Sequence, residues 1–187
     1  MNEYSPDERK ELLALAHKAL RARIFGQKLE VPEVSARLRE FRGAFTTLHL
    51  RGKLRGCIGY VMANQPLFQT VLETAAAAAT EDPRFSPVNE VEAGELQIEI
   101  SVLSPVFPIR AEDVEIGKHG LMISQFSRRG LLLPQVAKQW NLDRETFLAQ
   151  ACAKAGLPMD AWKHGATIEA FTAEVFGETA PGESLAQ

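Results

Sequence analysis

The chain has 187 residues, 45% hydrophobic and 24% charged, with a formal net charge of −3 and a pI near 5.9. That length and balance describe one ordinary folded domain with room for a small subdomain, and the acidic charge argues against general nucleic-acid binding. No apolar run of about 18 residues offers a membrane span, the start "MNEYSPDERKELL" lacks a basic-then-apolar leader, and Cys57 and Cys152 lie far apart. The expectation is a cytoplasmic protein with two free thiols.

"SPDERKELLALAHKAL" predicts the first helix. Ser5 caps it, Pro6 suits its first position and Glu8 completes a capping box, before Leu12, Leu13, Ala16, Ala19, Leu20 and Ile24 recur at helical spacing. His17 reads as a boundary residue on that helix.

"GAFTTLHL", the loop "RGK" and "LRGCIGYV" then read as a β-hairpin with a three-residue loop. Pairing Leu50 with Leu54 puts Leu48, Leu50, Leu54 and Ile58 on a core face. Thr47, His49, Arg55 and Cys57 take the other face, with Thr47 opposite Cys57 and His49 opposite Arg55. His49 and Cys57 become diagonal neighbours at roughly 7–8 Å. A slip of one residue would move every side chain to the other face.

A helix follows over Gln65–Thr80, where "AAAAA" marks close packing of another backbone, and "EDPRFSPV" stops it. "ELQIEISVLSP" alternates as a half-buried antiparallel strand. "HGLMISQFSRRGLLLP" reads as a second hairpin with Ser127–Gly130 near its tip, carrying Arg128 and Arg129. "PQVAKQWN" and "DRETFLAQACAKAGLP" are short helices, the second stopped by Gly156 and Pro158. Trp140 and Trp162 are expected to anchor these helices, Cys152 to lie in the core, and His119 and His164 to sit in turns. "ATIEAFTAEVFGE" reads as one strand with Phe171, Ala173 and Val175 on one side, and the tail from Thr179 as frayed. Strands and helices mix without βαβ regularity, so the class is α+β with mainly antiparallel pairing.

Phosphate-loop, zinc-protease, Cys-x-x-Cys and EF-hand patterns are missing, and the four histidines are scattered, so no metal site or cofactor is read. "LRGCIG" is the segment that stands out, since Gly56 and Gly59 weaken a strand unless something approaches it closely. On one reading Cys57 is a nucleophile, Arg55 stabilises its thiolate, His49 is a base and the glycines admit a substrate. Arg37, Arg39, Arg42, Arg51, Lys53 and Arg55, interrupted only by Glu40 among acids, would draw a small anionic ligand, and Arg84 in "DPRF" is a further donor. On the other reading Cys57 is a small buried hydrophobe and the glycines admit the poly-alanine helix.

Taken together and in order, "GAFTTL", "LRGCIG", "AATEDPRF", "LQIEISVLSP", "HGLMIS", "SRRGLLLPQVA" and "AGLPMDAW" resemble the AMMECR family, whose prokaryotic members are named AmmeMemoRadiSam system protein A. The likeness runs from about residue 7 to 178. It implies an antiparallel sheet flanked by helices in a larger subdomain holding both termini, a smaller α/β subdomain beside it, and a cleft near "RGCIG". The family name implies Memo-type and radical-SAM proteins as partners. Two functions stay open: a cysteine-dependent enzyme or enzyme component acting on a small anionic substrate through Cys57, with Arg55, Gly56, Gly59, Thr47, His49 and Arg84 as binding residues; or a non-catalytic binding module working with those partners.

Overall fold

Helix α1 (Pro6–Phe25) begins and ends where its local chemistry dictates. The Ser5 side chain accepts the Glu8 N–H, the Glu8 carboxylate accepts the Ser5 N–H, and Gly26 closes the helix in the left-handed region at φ 63°. The computed structural model describes residues 3–178; the tail from Thr179 lies outside them. They fall into two compact units, 3–103 with 174–178 and 104–173.

In the first unit, β1 (Ala44–Leu50), β2 (Lys53–Tyr60), β3 (Leu96–Leu103) and β8 (Ala173–Gly177) form an antiparallel sheet in the order β2-β1-β3-β8. Leu48, Ile98, Ile100 and Val102 turn toward the core with Leu12, Leu15 and Leu20 of α1 and Leu67, Val71 and Ala75 of α2 (Leu67–Thr80). The alanine run lets α2 approach the sheet at backbone distance. A one-turn helix, α3 (Glu90–Ala93), precedes β3; Asn89 and Glu92 cap it reciprocally.

The first hairpin departs from its expected geometry in two ways. Its turn is the two-residue pair Arg51–Gly52, both at positive φ (52° and 74°), as a type I′ turn demands. Leu50 therefore pairs with Lys53, and His49 with Leu54, not with Arg55. A bulge restores the alternation: Leu48 pairs with Gly56, Thr47 with Cys57, and Arg55 is the extra residue. Leu54, expected in the core, is 42% exposed.

The second unit carries β4 (Phe107–Pro108), β5 (Gly120–Gln125), β6 (Arg128–Leu132) and β7 (Thr167–Phe171) in the order β4-β7-β5-β6, with α4 (Pro134–Gln139) and α5 (Arg144–Lys154). Its core gathers Leu121, Ile123, Phe147, Leu148 and Cys152. Among the described residues the chain is therefore an α+β protein with two four-stranded antiparallel sheets and five α-helices, and no helix is long and apolar enough to cross a membrane.

Corrections arise here as well. The second hairpin turns at Phe126–Ser127, so Arg128, Arg129 and Gly130 belong to β6; Phe126 takes a φ of 54°. The segment read as one C-terminal strand breaks at Thr172 into β7 and β8, which enter different sheets, and Val175 faces solvent while Phe176 is buried. Trp140 is 71% exposed, whereas Trp162 packs on the second core. His119 does follow a turn, just before β5, but is buried there, accepting the Glu115 N–H through Nδ1 and meeting the Phe107 ring edge-on.

Candidate functional site

Cys57 and Thr47 face each other across β1 and β2, and the Thr47 hydroxyl donates to the Cys57 Sγ at 3.2 Å. The Cys57 N–H, pointing away from β1, donates to Asp82 Oδ2 at 2.8 Å. Asp82 stands just past the end of α2, at the head of "DPRF". The other bonds of its carboxylate come from Arg84: the backbone N–H at 3.1 Å, Nε at 2.9 Å and Nη2 at 2.7 Å. Arg84 also lies over the Phe85 ring, 5.4 Å from its centroid.

The electrostatics follow from this geometry. The Arg84 guanidinium holds the Asp82 carboxyl well below the usual carboxylate range, against the opposing effect of burial. Burial pushes the Cys57 thiol up; the Thr47 hydroxyl and Arg84 act in the opposite sense, while Asp82 and Glu99 add to the rise. Glu99 belongs here because it pairs with Thr47 from the β3 side. At neutral pH the site holds a thiol beside a neutralised Asp–Arg pair.

The other residues predicted for the site are placed differently. Arg55 spans the two Glu92 carboxylate oxygens, Nε and Nη2 each at 3.0 Å, and donates to the Ser86 carbonyl at 2.9 Å, so its charge is spent on the α3 turn. His49 pairs with Leu54 and Gln97, and the bulge sets it three β2 positions from Cys57 rather than two. A side-chain carbon on Gly56 would stand 2.2 Å from the Ala78 carbonyl oxygen of α2. On Gly59 it would stand 2.1 Å from the Phe45 ring. Both glycines thus answer to the chain's own packing. Of the two approaches weighed for this strand, that of the poly-alanine helix is the one present at Gly56.

Among the described residues, every member of the basic cluster but Lys53 stands in an ion pair. Arg37 meets Glu8 at 3.4 Å, Arg39 meets Glu33 at 3.7 Å, Arg42 meets Glu40 at 2.7 Å and Arg51 meets Glu95 at 2.8 Å. Only Glu40 lies inside the basic stretch; the other carboxylates come from α1, its following loop and the approach to β3. Among the described residues no cluster of histidine, cysteine or acidic side chains suits a metal ion.

Beyond Cys57 the strand opens onto a recess of about 480 Å³, lined by Gly59 to Met62 on one side and by Asn64, Gln65 and Glu73 on the other. Tyr60 is 42% and Met62 47% exposed there. Sequence reading missed Asp82, Glu92 and Glu99. Asp82 had a legible signal, the acid two residues before Arg84 in "DPRF"; Glu92 had another, the N-x-x-E capping pattern from Asn89. Glu99 had none, because only sheet register brings it to Thr47.

Fold and site together define a two-sheet α+β protein whose "LRGCIG" strand is held by its own helix and an Asp–Arg turn. A model of the AMMECR1 family matches residues 13–176, and the chain belongs to the AMMECR1 family. It is 40% identical to Protein Mbar_A1807 of Methanosarcina barkeri, with 95% of this chain and 94% of that one covered. Protein MK0488 of Methanopyrus kandleri is 41% identical, with 94% and 90% covered. The crystal structure of the uncharacterized protein PH0010 from Pyrococcus horikoshii superposes with a TM-score of 0.84 at 36% identity, over 95% of this chain and 94% of that one.

Proposed function

We propose that this chain acts by recognition, as a non-catalytic binding module, rather than by covalent chemistry at Cys57. The observation that carries this reading is the state of the thiol. A cysteine nucleophile attacks as thiolate, yet burial pushes the Cys57 thiol up, and the arginine expected to stabilise it is held by Glu92. Gly56 and Gly59 are occupied by Ala78 and Phe45, so they are accounted for without a substrate. The ion pairs along Arg37–Arg55 weaken the case for a small anionic substrate. Memo-type and radical-SAM proteins are the partners this proposal assigns, on the resemblance set out above.

The test is the rate of iodoacetamide alkylation of Cys57 between pH 6 and 10, with buried Cys152 as internal control. We expect slow labelling and a thiol pKa at or above the free value of about 8.5. Fast labelling with a pKa well under that value would overturn the reading in favour of a cysteine-dependent enzyme.

A further inference from the structure

The edge of β2 is closed at one point and open at the next. In an antiparallel pair, residues alternate between those that exchange backbone bonds with the partner and those whose N–H and C=O point away. The Cys57 N–H goes to Asp82, so the Thr47–Cys57 pair is of the second kind. Register is unbroken from there to Phe45–Gly59, so the Gly59 N–H and C=O also point outward, on the free side of an edge strand. At Cys57 a carboxylate seals that edge. At Gly59 no described residue does, and Gly59 lines the recess with Tyr60, Val61 and Met62. An unsealed edge beside exposed apolar side chains is a template for strand addition.

The far wall supplies the charge. Glu73 stands on α2 with the neutral Gln65 amide at 2.9 Å as its hydrogen-bond partner, and both line the recess. Among the described residues that carboxylate has no cation paired with it, unlike those of the arginine network described above.

We propose that the edge of β2 at Gly59 is a docking site for an extended peptide segment of a partner protein, one that carries an apolar residue against Tyr60 and a lysine or arginine against Glu73. This deepens the recognition reading by naming the surface and the chemistry of its partner. The Asp82 seal bounds the site on one side: an incoming strand pairs with β2 at Gly59 and cannot run back along Cys57.

The experiment pans the full chain against a random heptapeptide phage library, then adds a synthesised winner to ¹⁵N-labelled protein. The expected winners alternate apolar residues with a basic one. They shift the Gly59 and Val61 amides, slow Gly59 amide exchange, and lose affinity about fivefold against Glu73→Gln while binding Cys57→Ser unchanged. Failure to enrich any peptide, winners that perturb other amides, or indifference to Glu73→Gln would overturn the proposal. So would a Gly59 amide already protected in a dimer of this chain, seen by sedimentation. A fast-alkylating Cys57 would sink the recognition reading alone, so the two failures are distinguishable.

Discussion

Asp82 keeps its side chain only 3% exposed, accepts the Cys57 N–H and takes the guanidinium of Arg84. Its folded-state pKa is depressed, so the stability it contributes is fully present above the unfolded carboxyl value of about 4. That stability drains away as pH falls from there toward the folded-state value, because the unfolded chain takes up the proton first. Replacing it, Asp82→Asn, removes a charged acceptor and should cost about 2 kcal/mol at pH 7. In urea titrations the gap between wild type and variant should narrow steadily as pH falls below about 4; a gap constant with pH would refute the linkage. The same substitution should lower the Cys57 pKa, since a negative charge leaves while Arg84 stays positive. Faster iodoacetamide labelling of the variant at pH 7.5 would show it, and unchanged labelling would mean that Asp82 does not act on the thiol.

At the scale of elements, the β1–β2 hairpin is fixed by three close approaches: the Ala78 carbonyl on Gly56, the Phe45 ring on Gly59, and the Asp82 seal on Cys57. Gly56→Ala meets rigid helix backbone and should prevent stable folding. Gly59→Ala meets a side chain that can be trimmed, so it should cost about 1–3 kcal/mol alone. In the Phe45→Ala background it should cost much less, and a double-mutant cycle in urea reads the difference. Additive losses would show that Phe45 is not what Gly59 accommodates. The sequence made the two strands and the Thr47–Cys57 pairing legible, because alternation and the flanking glycines mark them. It hid the bulge at Arg55, because a two-residue turn with one extra residue leaves the same pairing at Thr47 as a three-residue loop with none. The ion pairs of the basic stretch were hidden for a related reason: Glu8, Glu92 and Glu95 reach it through tertiary structure, not through neighbouring sequence.

At the scale of the molecule, the stretch "ATIEAFTAEVFGE" reads as one strand because its alternation carries no turn residue at Thr172, although the chain passes from one unit to the other just after it. The break is marked only by hydrogen bonds. The Ser104 N–H donates to the Thr172 carbonyl and the Thr172 N–H to the Ser104 hydroxyl, each at 2.9 Å. The two ends of the second unit are thus clasped together, the arrangement expected of a segment inserted into a loop of another domain. Within Ser104–Ala173 the sheet pairs only with itself, and Leu121, Ile123, Phe147, Leu148 and Cys152 are fully buried. We therefore expect residues 104–173 made as a separate chain to fold. A core in a chain of this size sustains roughly 3 kcal/mol, so the urea transition should be cooperative but early. Ser104→Ala should bring it earlier still, by about 1 kcal/mol, through loss of the hydroxyl that accepts the Thr172 N–H. Near-ultraviolet dichroism provides the readout, because Trp162 sits on this core and reports its packing. A signal that drifts without a transition would mean that the second unit depends on the rest of the chain, whatever its own core contains.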